Sequence, residues 1–328
     1  MTKRATLNQV AQYAGVSIAT ASRCFSNPEV VKPETVSRIR EAAAVLNYKA
    51  PRLLERDLSI LRVAIFTRLF NHQGEMERLR GISNALRAWP HEMLFYDLDD
   101  SLSSIDYVKR LVVTKRVEGL IFVGVPLAPE VVKYIQRFQM PTVLIENDDS
   151  RFSRVLTSEK KGSELVADYF NISEAPRILF VGARPATMDL NPGIRLKSFR
   201  DRLNRNKKEL VSELLVDPYS PSLQTELTKI LRMKERPSAV FADSDHLAAA
   251  VFKAATALGL AIPKDLVLVG YGDTDLADQL SITSVRTHLD ASGRRAIEIL
   301  RSVDLLHEGN PIREELRPEL IIRPGAIK

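Results

Sequence analysis

The sequence predicts an α/β protein in two parts: a small helix-turn-helix head over residues 1–60, then a two-lobed core of doubly wound parallel sheets over residues 61–328. Three observations lead there. Two short apolar stripes with helical spacing meet at a glycine near the N-terminus. Basic residues gather in the same segment. From Leu61 onward, apolar runs alternate with amphipathic stretches. A chain of 328 residues exceeds one typical domain, and 45% hydrophobic with 27% charged residues is ordinary globular composition.

The head begins with Thr6-Leu7-Asn8-Gln9, a hydroxyl followed three residues later by Gln, the spacing of a capping box. Leu7, Val10, Ala11 and Ala14 then mark one helix face, and Gly15 supplies the turn. Ser17 caps a second helix, Ile18–Phe25, and Ala11 and Ala21 allow the two helices to approach closely. A third helix runs from Pro33 to Leu46, with Val36, Ile39, Ala43 and Leu46 inward. Within residues 1–57 stand nine bases (Lys3, Arg4, Arg23, Lys32, Arg38, Arg40, Lys49, Arg52, Arg56) against five acids (Glu29, Glu34, Glu41, Glu55, Asp57). Most of the chain's +6 charge therefore lies in this segment, as expected of a module that binds a polyanion.

In the body, buried parallel strands are expected at Val63–Phe66, Met93–Leu98, Leu120–Val123, Val143–Ile145, Ile178–Val181, Glu213–Val216, Val240–Ala242 and Val267–Val269. Helical stretches between them include Glu75–Ala88, Ser104–Thr114, Glu130–Phe138, Gly162–Phe170, Arg195–Asn206, Leu223–Met233 and His246–Leu258. So long a body predicts two lobes, crossing near 157 and 286, with a ligand in the cleft at the strand ends.

Leu7-Asn-Gln-Val-Ala-Gln-Tyr-Ala-Gly-Val-Ser17, Thr20-Ala-Ser-Arg23 and Leu46-Asn-Tyr48 together resemble the headpiece of LacI/GalR-type transcription regulators. Weaker signposts continue through the body: Leu79-Arg-Gly81-Ile82, Val117-Glu-Gly119, Pro237-Ser-Ala239, Leu268-Val-Gly270-Tyr271, Gly293-Arg-Arg-Ala296 and Glu319-Leu-Ile-Ile-Arg323. The resemblance implies a DNA-binding regulator with a periplasmic-binding-protein-like core that dimerises and binds a small, sugar-like effector between its lobes. The expected partners are a pseudo-palindromic duplex operator, that effector and a second copy of the chain, with repression the commoner outcome. No leucine-rich tail follows the last strand, which favours a dimer.

A recognition helix sets its N-terminal residues at base edges in the major groove. Ile18 and Ala19 then offer apolar contact, for instance with thymine methyls, Ser22 follows, and Arg23 is the best candidate for a guanine. Thr6, Ser17, Thr20 and Lys32 read as phosphate contacts that fix register. The family's hinge carries a leucine that wedges into the minor groove. Here the linker is short, an acid stands where the wedge aligns, and Leu54 is the candidate in its place.

In the cleft, the resemblance assigns Arg195 as the arginine that holds sugar hydroxyls, with Asn191 one turn earlier, Glu146 ending the fourth strand, Tyr219 as the stacking aromatic and Ser244 after Phe241. Gly272 stands where the family has the first of two aspartates, so one carboxylate is missing. With Arg68 and Arg184 nearby, this predicts a net positive pocket and an effector that is a sugar acid or sugar phosphate.

Other classes find little support. There is no Gly-x-Gly-x-x-Gly, no P-loop and no His-Glu-x-x-His, so no enzyme and no cofactor is expected. His72, His91, His246, His288 and His307 are scattered, and the single Cys24 fits a reducing compartment. The start has no apolar signal core and no run is long enough to span a bilayer, so a cytoplasmic protein is expected rather than a membrane or exported one. A sugar-binding sensor or a doubly wound enzyme bearing an added DNA head is the alternative.

Overall fold

A computed structural model describes residues 6–26, 31–46, 48, 60–68, 74–98, 102–114, 116–173, 175–184, 193–305 and 310–324. The chain divides into two compact units, Met1–Leu61 and Arg62–Lys328.

The head contains α1 (Leu7–Tyr13), α2 (Ile18–Ser26) and α3 (Pro33–Val45). Its core joins Val10, Ala14, Cys24, Ile39, Ala42 and Ala43, with Val16, Val36, Leu46 and Tyr48 packed around them. Cys24 is thus a small packed residue, and Ala11 and Ala21 are almost fully buried at the crossing of the first two helices.

The core runs β1 (Leu61–Thr67), α4 (Gly74–Leu86), β2 (His91–Asp97), α5 (Leu102–Thr114), β3 (Gly119–Val123), α6 (Pro129–Arg137), β4 (Thr142–Ile145) and β5 (Ser153–Thr157). It continues with α7 (Glu159–Ile172), β6 (Ile178–Ala183), α8 (Ile194–Arg205), β7 (Leu210–Val216), α9 (Leu223–Leu231), β8 (Ala239–Ala242), α10 (Asp245–Ala257), β9 (Val267–Gly272), α11 (Asp275–Gln279), β10 (Thr283–Arg286), α12 (Leu289–Leu305), β11 (Arg313–Leu316) and β12 (Glu319–Ile321). Two six-stranded sheets result, ordered β11-β5-β4-β3-β1-β2 and β12-β10-β9-β8-β6-β7. The described pairings are parallel except β10 with β12, where Val285 faces Leu320.

Both faces of each sheet are covered, which is why the central strands are apolar throughout. In the first sheet Phe66 stacks on Phe122 at 4.6 Å, above Val108, Leu111 and Val112 of α5 and Val131, Val132 and Ile135 of α6. In the second, Phe180, Phe241 and Tyr271 meet Phe170 of α7 and Phe199 of α8, while Val181, Val240 and Leu268 pack against α9 and α10 on the other face. Each fully buried side chain of this kind stabilises the fold by about 1.5–3 kcal/mol.

Two glycines that looked like family signposts have a steric reason. A Cβ on Gly81 of α4 would lie 1.9 Å from the Asp290 carbonyl oxygen, and one on Gly293 of α12 would lie 2.1 Å from that of Arg78. The helices touch through their backbones, and any side chain at either position forces them apart.

Four short strands and two helices escape the hydrophobic pattern. β5, β10, β11 and β12 carry Arg, Ser, Thr and Glu among few apolar residues, because their polar side chains find partners inside the fold. Arg154 of β5 bonds Asp148 at 2.5 Å, and Ser284 of β10 bonds Asp245 at 2.5 Å. Helix α12 mixes six charged residues and a glycine with its buried Ala296, Ile297, Ile299 and Leu300, which blurs its period; α11 is too short to show one. The chain crosses between sheets after β5, after β10, and a third time between β11 and β12, a passage the sequence reading did not include.

Candidate functional site

The head presents its polar groups at helix starts. Gln9 N–H donates to Thr6 Oγ1 at 3.4 Å while Thr6 N–H donates to Gln9 Oε1 at 2.8 Å, so the capping box is closed. Before α2, Ser17 Oγ accepts the Thr20 N–H at 3.1 Å and lies 2.8 Å from the Thr20 hydroxyl. Between the helices Gly15 takes φ +63°, a left-handed conformation that glycine adopts without steric cost. Ala21 and Cys24 turn inward. Ile18, Ala19 and Arg23 are exposed and Ser22 is half-buried, so these four share the outward face of α2. Thr6, Ser17 and Lys32 are exposed and Thr20 is half-buried. Leu54 lies outside the described residues.

In the core, the crevice to consider lies at the carboxyl ends of the strands where the sheet order reverses. In the first sheet the reversal falls between β1 and β3, and half-buried Arg68 follows β1 there. In the second it falls between β6 and β8, and Asp243 follows β8. Around these ends two charged groups assemble. Arg78 of α4 donates to Glu75 at 3.0 Å and to Glu146 at 3.2 Å. Glu146, held at φ +56° just past β4, also accepts the Thr157 N–H at 3.1 Å and the Thr157 hydroxyl at 2.9 Å. Burial pushes the Glu146 carboxyl up, although Arg78 opposes this.

The second group centres on Arg195 of α8. Its Nε and one terminal nitrogen both donate to Glu159, the latter at 3.0 Å. Its other terminal nitrogen donates to the Asp243 main-chain carbonyl at 2.5 Å, and the guanidinium lies 4.1 Å over the Tyr271 ring. Burial works against the Glu159 carboxylate, but the charge and hydrogen bonds of Arg195 outweigh it and hold its pKa below the usual value. The Tyr271 hydroxyl is pushed well up, by burial first and by Glu159 second. Gly162 leaves room for it, since a Cβ there would stand 2.3 Å from that oxygen. Asp243 Oδ2 accepts the Ala183 N–H at 2.9 Å, and burial raises its pKa.

These contacts set carboxylates beside the arginines of the expected positive pocket. Around Arg78 and Arg195 stand Glu75, Glu146, Glu159 and Asp243, so acids outnumber bases in this group. Arg184, proposed to add positive charge, is exposed and donates to the Leu215 carbonyl of β7 at 3.1 Å. Among the other assigned residues, Ser244 accepts the Leu247 N–H as the N-cap of α10. Tyr219 is exposed and packs at 5.3 Å on the His246 ring. Gly272 has φ +126°, where a side chain is strained, and a Cβ would meet Asp245 at 3.2 Å. The aspartate after it, Asp273, is held by Arg286 and Arg323, each at 2.7 Å. Asn191 lies outside the described residues. Sequence reasoning missed Glu75, Arg78, Glu159 and Asp243; the available signal was that Asp243 comes directly after the end of β8 and Glu159 two residues after the end of β5.

Comparison with known proteins agrees with both halves. Residues 6–50 match the family described as bacterial regulatory proteins, lacI family, and residues 167–324 match a periplasmic binding protein-like domain. This chain thus carries a lacI-family head and a periplasmic binding protein-like domain. Among its relatives, the HTH-type transcriptional regulator RegA of Clostridium acetobutylicum is 28% identical over 276 residues, 81% of this chain and 82% of RegA. The Lac repressor dimer bound to operator and the anti-inducer ONPF superposes with a TM-score of 0.70 at 20% identity, covering 99% of this chain and 100% of that one. The transcriptional regulator CelR in complex with cellobiose gives 0.66 at 21% identity, covering 98% and 100%. The chain is a DNA-binding transcription regulator whose head is the helix-turn-helix unit and whose body is the two-lobed ligand-binding fold. No helix among its described residues is long and apolar enough to cross a membrane.

Proposed function

We propose that this regulator acts in the cytoplasm as a homodimeric repressor, with α2 of each subunit in one half of a pseudo-palindromic operator and half-sites about one helical turn apart. The observation that carries the reading is the outward face of α2, where Ile18, Ala19, Ser22 and Arg23 stand beside two capped helix starts. Arg23 pairs with guanine, Ile18 and Ala19 touch thymine methyls, and Ser22 reaches a base edge. Thr6, Ser17, Thr20 and Lys32 hold phosphates, a task that the positive N-terminal ends of α1 and α2 assist. Two solved relatives support repression and a sugar ligand: one is a repressor on its operator, the other holds cellobiose.

The effector is sugar-like and uncharged. A sugar acid or sugar phosphate would have to take Arg195 away from Glu159 and settle among Glu75, Glu146 and Asp243. A neutral polyol meets those acceptors with its hydroxyls. The effector changes DNA affinity by the difference in its affinity for two lobe arrangements. The test is selection of genomic duplex fragments by the full-length protein at low ionic strength. The reading expects enrichment of a pseudo-palindromic sequence; uniform recovery of all fragments overturns it.

A further inference from the structure

An ion pair within one lobe holds in any arrangement of the two lobes, whereas a pair that crosses between them exists only in some. Around the first sheet Arg154 meets Asp148 and Arg295 meets Glu314; around the second Arg202 meets Asp168 and Arg323 meets Asp273. Arg80 crosses. It lies on α4, beside the first sheet, and donates at 3.2 Å to Asp275 of α11, beside the second, 195 residues further along the chain. Lys161 of α7 and Glu315 of β11 also face each other, at 3.8 Å, but they adjoin the crossovers, where a hinge moves least.

Both ends of the Arg80–Asp275 pair are firmly mounted. α4 touches α12 backbone to backbone at Gly81 and Gly293. Beside α11, Asp245 accepts the Thr274 N–H at 2.7 Å and its hydroxyl at 2.9 Å, while Arg323 bonds Asp273 at 2.7 Å and Asp278 at 3.1 Å. These acids are met inside their own lobe, and Asp275 reaches out of it. It stands three residues past the end of β9, on the carboxyl side of the second sheet that borders the crevice. Arg80 is shared with Glu77, 3.2 Å away on the same helix. Its hydrogen bond to Asp275, ahead of the charge of Glu77, holds the guanidinium above its ordinary pKa. Burial raises the Glu77 carboxyl; Arg80 opposes this, and Asp275 and Asp290 add to it. Asp290 is itself met by Arg294 at 2.7 Å. Two acids of the first lobe thus stand near Asp275, and Arg80 is the cation that turns this approach into an attraction.

We infer that Arg80 and Asp275 form a latch between the lobes, holding the arrangement seen here against others. An exposed pair of this kind biases a two-state equilibrium by up to about fivefold, enough to tune a switch without freezing it. The inference goes beyond the effector reading and rests on it only where lobe arrangement is coupled to DNA.

The test compares full-length wild type with Arg80→Glu, Asp275→Asn and the exchange Arg80→Glu/Asp275→Arg, all without ligand. Nitroxide labels at Lys133→Cys of α6 and Lys253→Cys of α10, both exposed, report the lobe distance by electron double resonance, with the buried Cys24 left in place. Arg80→Glu is expected to move the distance distribution by about 2 Å or more, Asp275→Asn to move it less in the same direction, and the exchange to restore it. Unmoved distances, or an exchange that moves them by the sum of the single changes, overturn the inference. Operator titrations at fixed salt give a second readout. Long-range charge predicts opposite signs, since Arg80→Glu adds two negative charges and Asp275→Asn removes one. The latch predicts one sign for both, about threefold or more in Kd for Arg80→Glu and a return to within about 1.5-fold of wild type in the exchange. Opposite signs overturn it. If the distances respond and recover while operator Kd stays fixed, or no operator is found, the latch stands and the regulatory reading above fails.

Discussion

In the head, Arg23 and Lys32 stand exposed with no ion pair among the described residues, whereas in the core Arg78 and Arg195 are each held by internal acceptors. An open cation is available to an external polyanion and gains from releasing its counterions. An enclosed cation with paired carboxylates is part of the fold, and removing it leaves buried charge behind. The same residue type therefore serves recognition in one region and cohesion in the other. Substitution separates the two roles.

The largest effect is expected from Arg78→Ala. It strips Glu75 and Glu146 of their shared counter-charge, and the core should lose about 3–5 kcal/mol in urea unfolding. A loss below about 1 kcal/mol would mean that the trio does not act as a unit. Next comes Arg23→Ala, which should leave stability nearly unchanged but cost about 1–3 kcal/mol at the operator and relax preference at one base pair. If the loss were equal on all duplexes, Arg23 would be a phosphate contact.

A smaller effect sharpens the core side of the contrast. Glu159 has a lowered pKa in the fold, so its stabilisation is complete above the unfolded carboxylate pKa and is lost as pH falls through the folded value. Glu159→Gln should thus cost about 1–2 kcal/mol at pH 7, discounted for partial exposure of the pair, and almost nothing in strong acid. A penalty that does not change with pH would assign the effect to packing rather than charge. The smallest change is Lys32→Ala: affinity should fall about equally for every duplex, and the slope of log affinity against log salt should flatten by about one unit.

The contrast also explains what could be read from the chain alone. Both capped helix starts, the Gly15 turn and the inward Val10, Ile39 and Ala43 are local patterns, decided within a few residues, and the three described helices of the head were legible together with their packing. The central strands were equally plain, since both their faces are buried. Around the strand ends of the core, Arg195 could be named from the sequence but its partners could not. Arg195 was found, but Glu159 lies 36 residues before it, Asp243 lies 48 residues after it, and Glu146 lies 68 residues beyond Arg78. Such pairings are set by which strands neighbour one another, and no local spacing announces them. The polar strands β5 and β10 were missed for the same reason: Arg154 and Ser284 look exposed until Asp148 and Asp245 arrive from elsewhere in the chain.

The central claim is that the occupancy of the core cleft sets the DNA affinity of the head. The direct measurement is fluorescence anisotropy of a labelled operator duplex, taken from the genomic selection, titrated with the full-length protein with and without a saturating cleft ligand at fixed salt. The account predicts at least a fivefold shift in the operator Kd, the lower end of ordinary allosteric coupling. Superimposable titration curves, with the ligand shown by calorimetry to be bound, would contradict it.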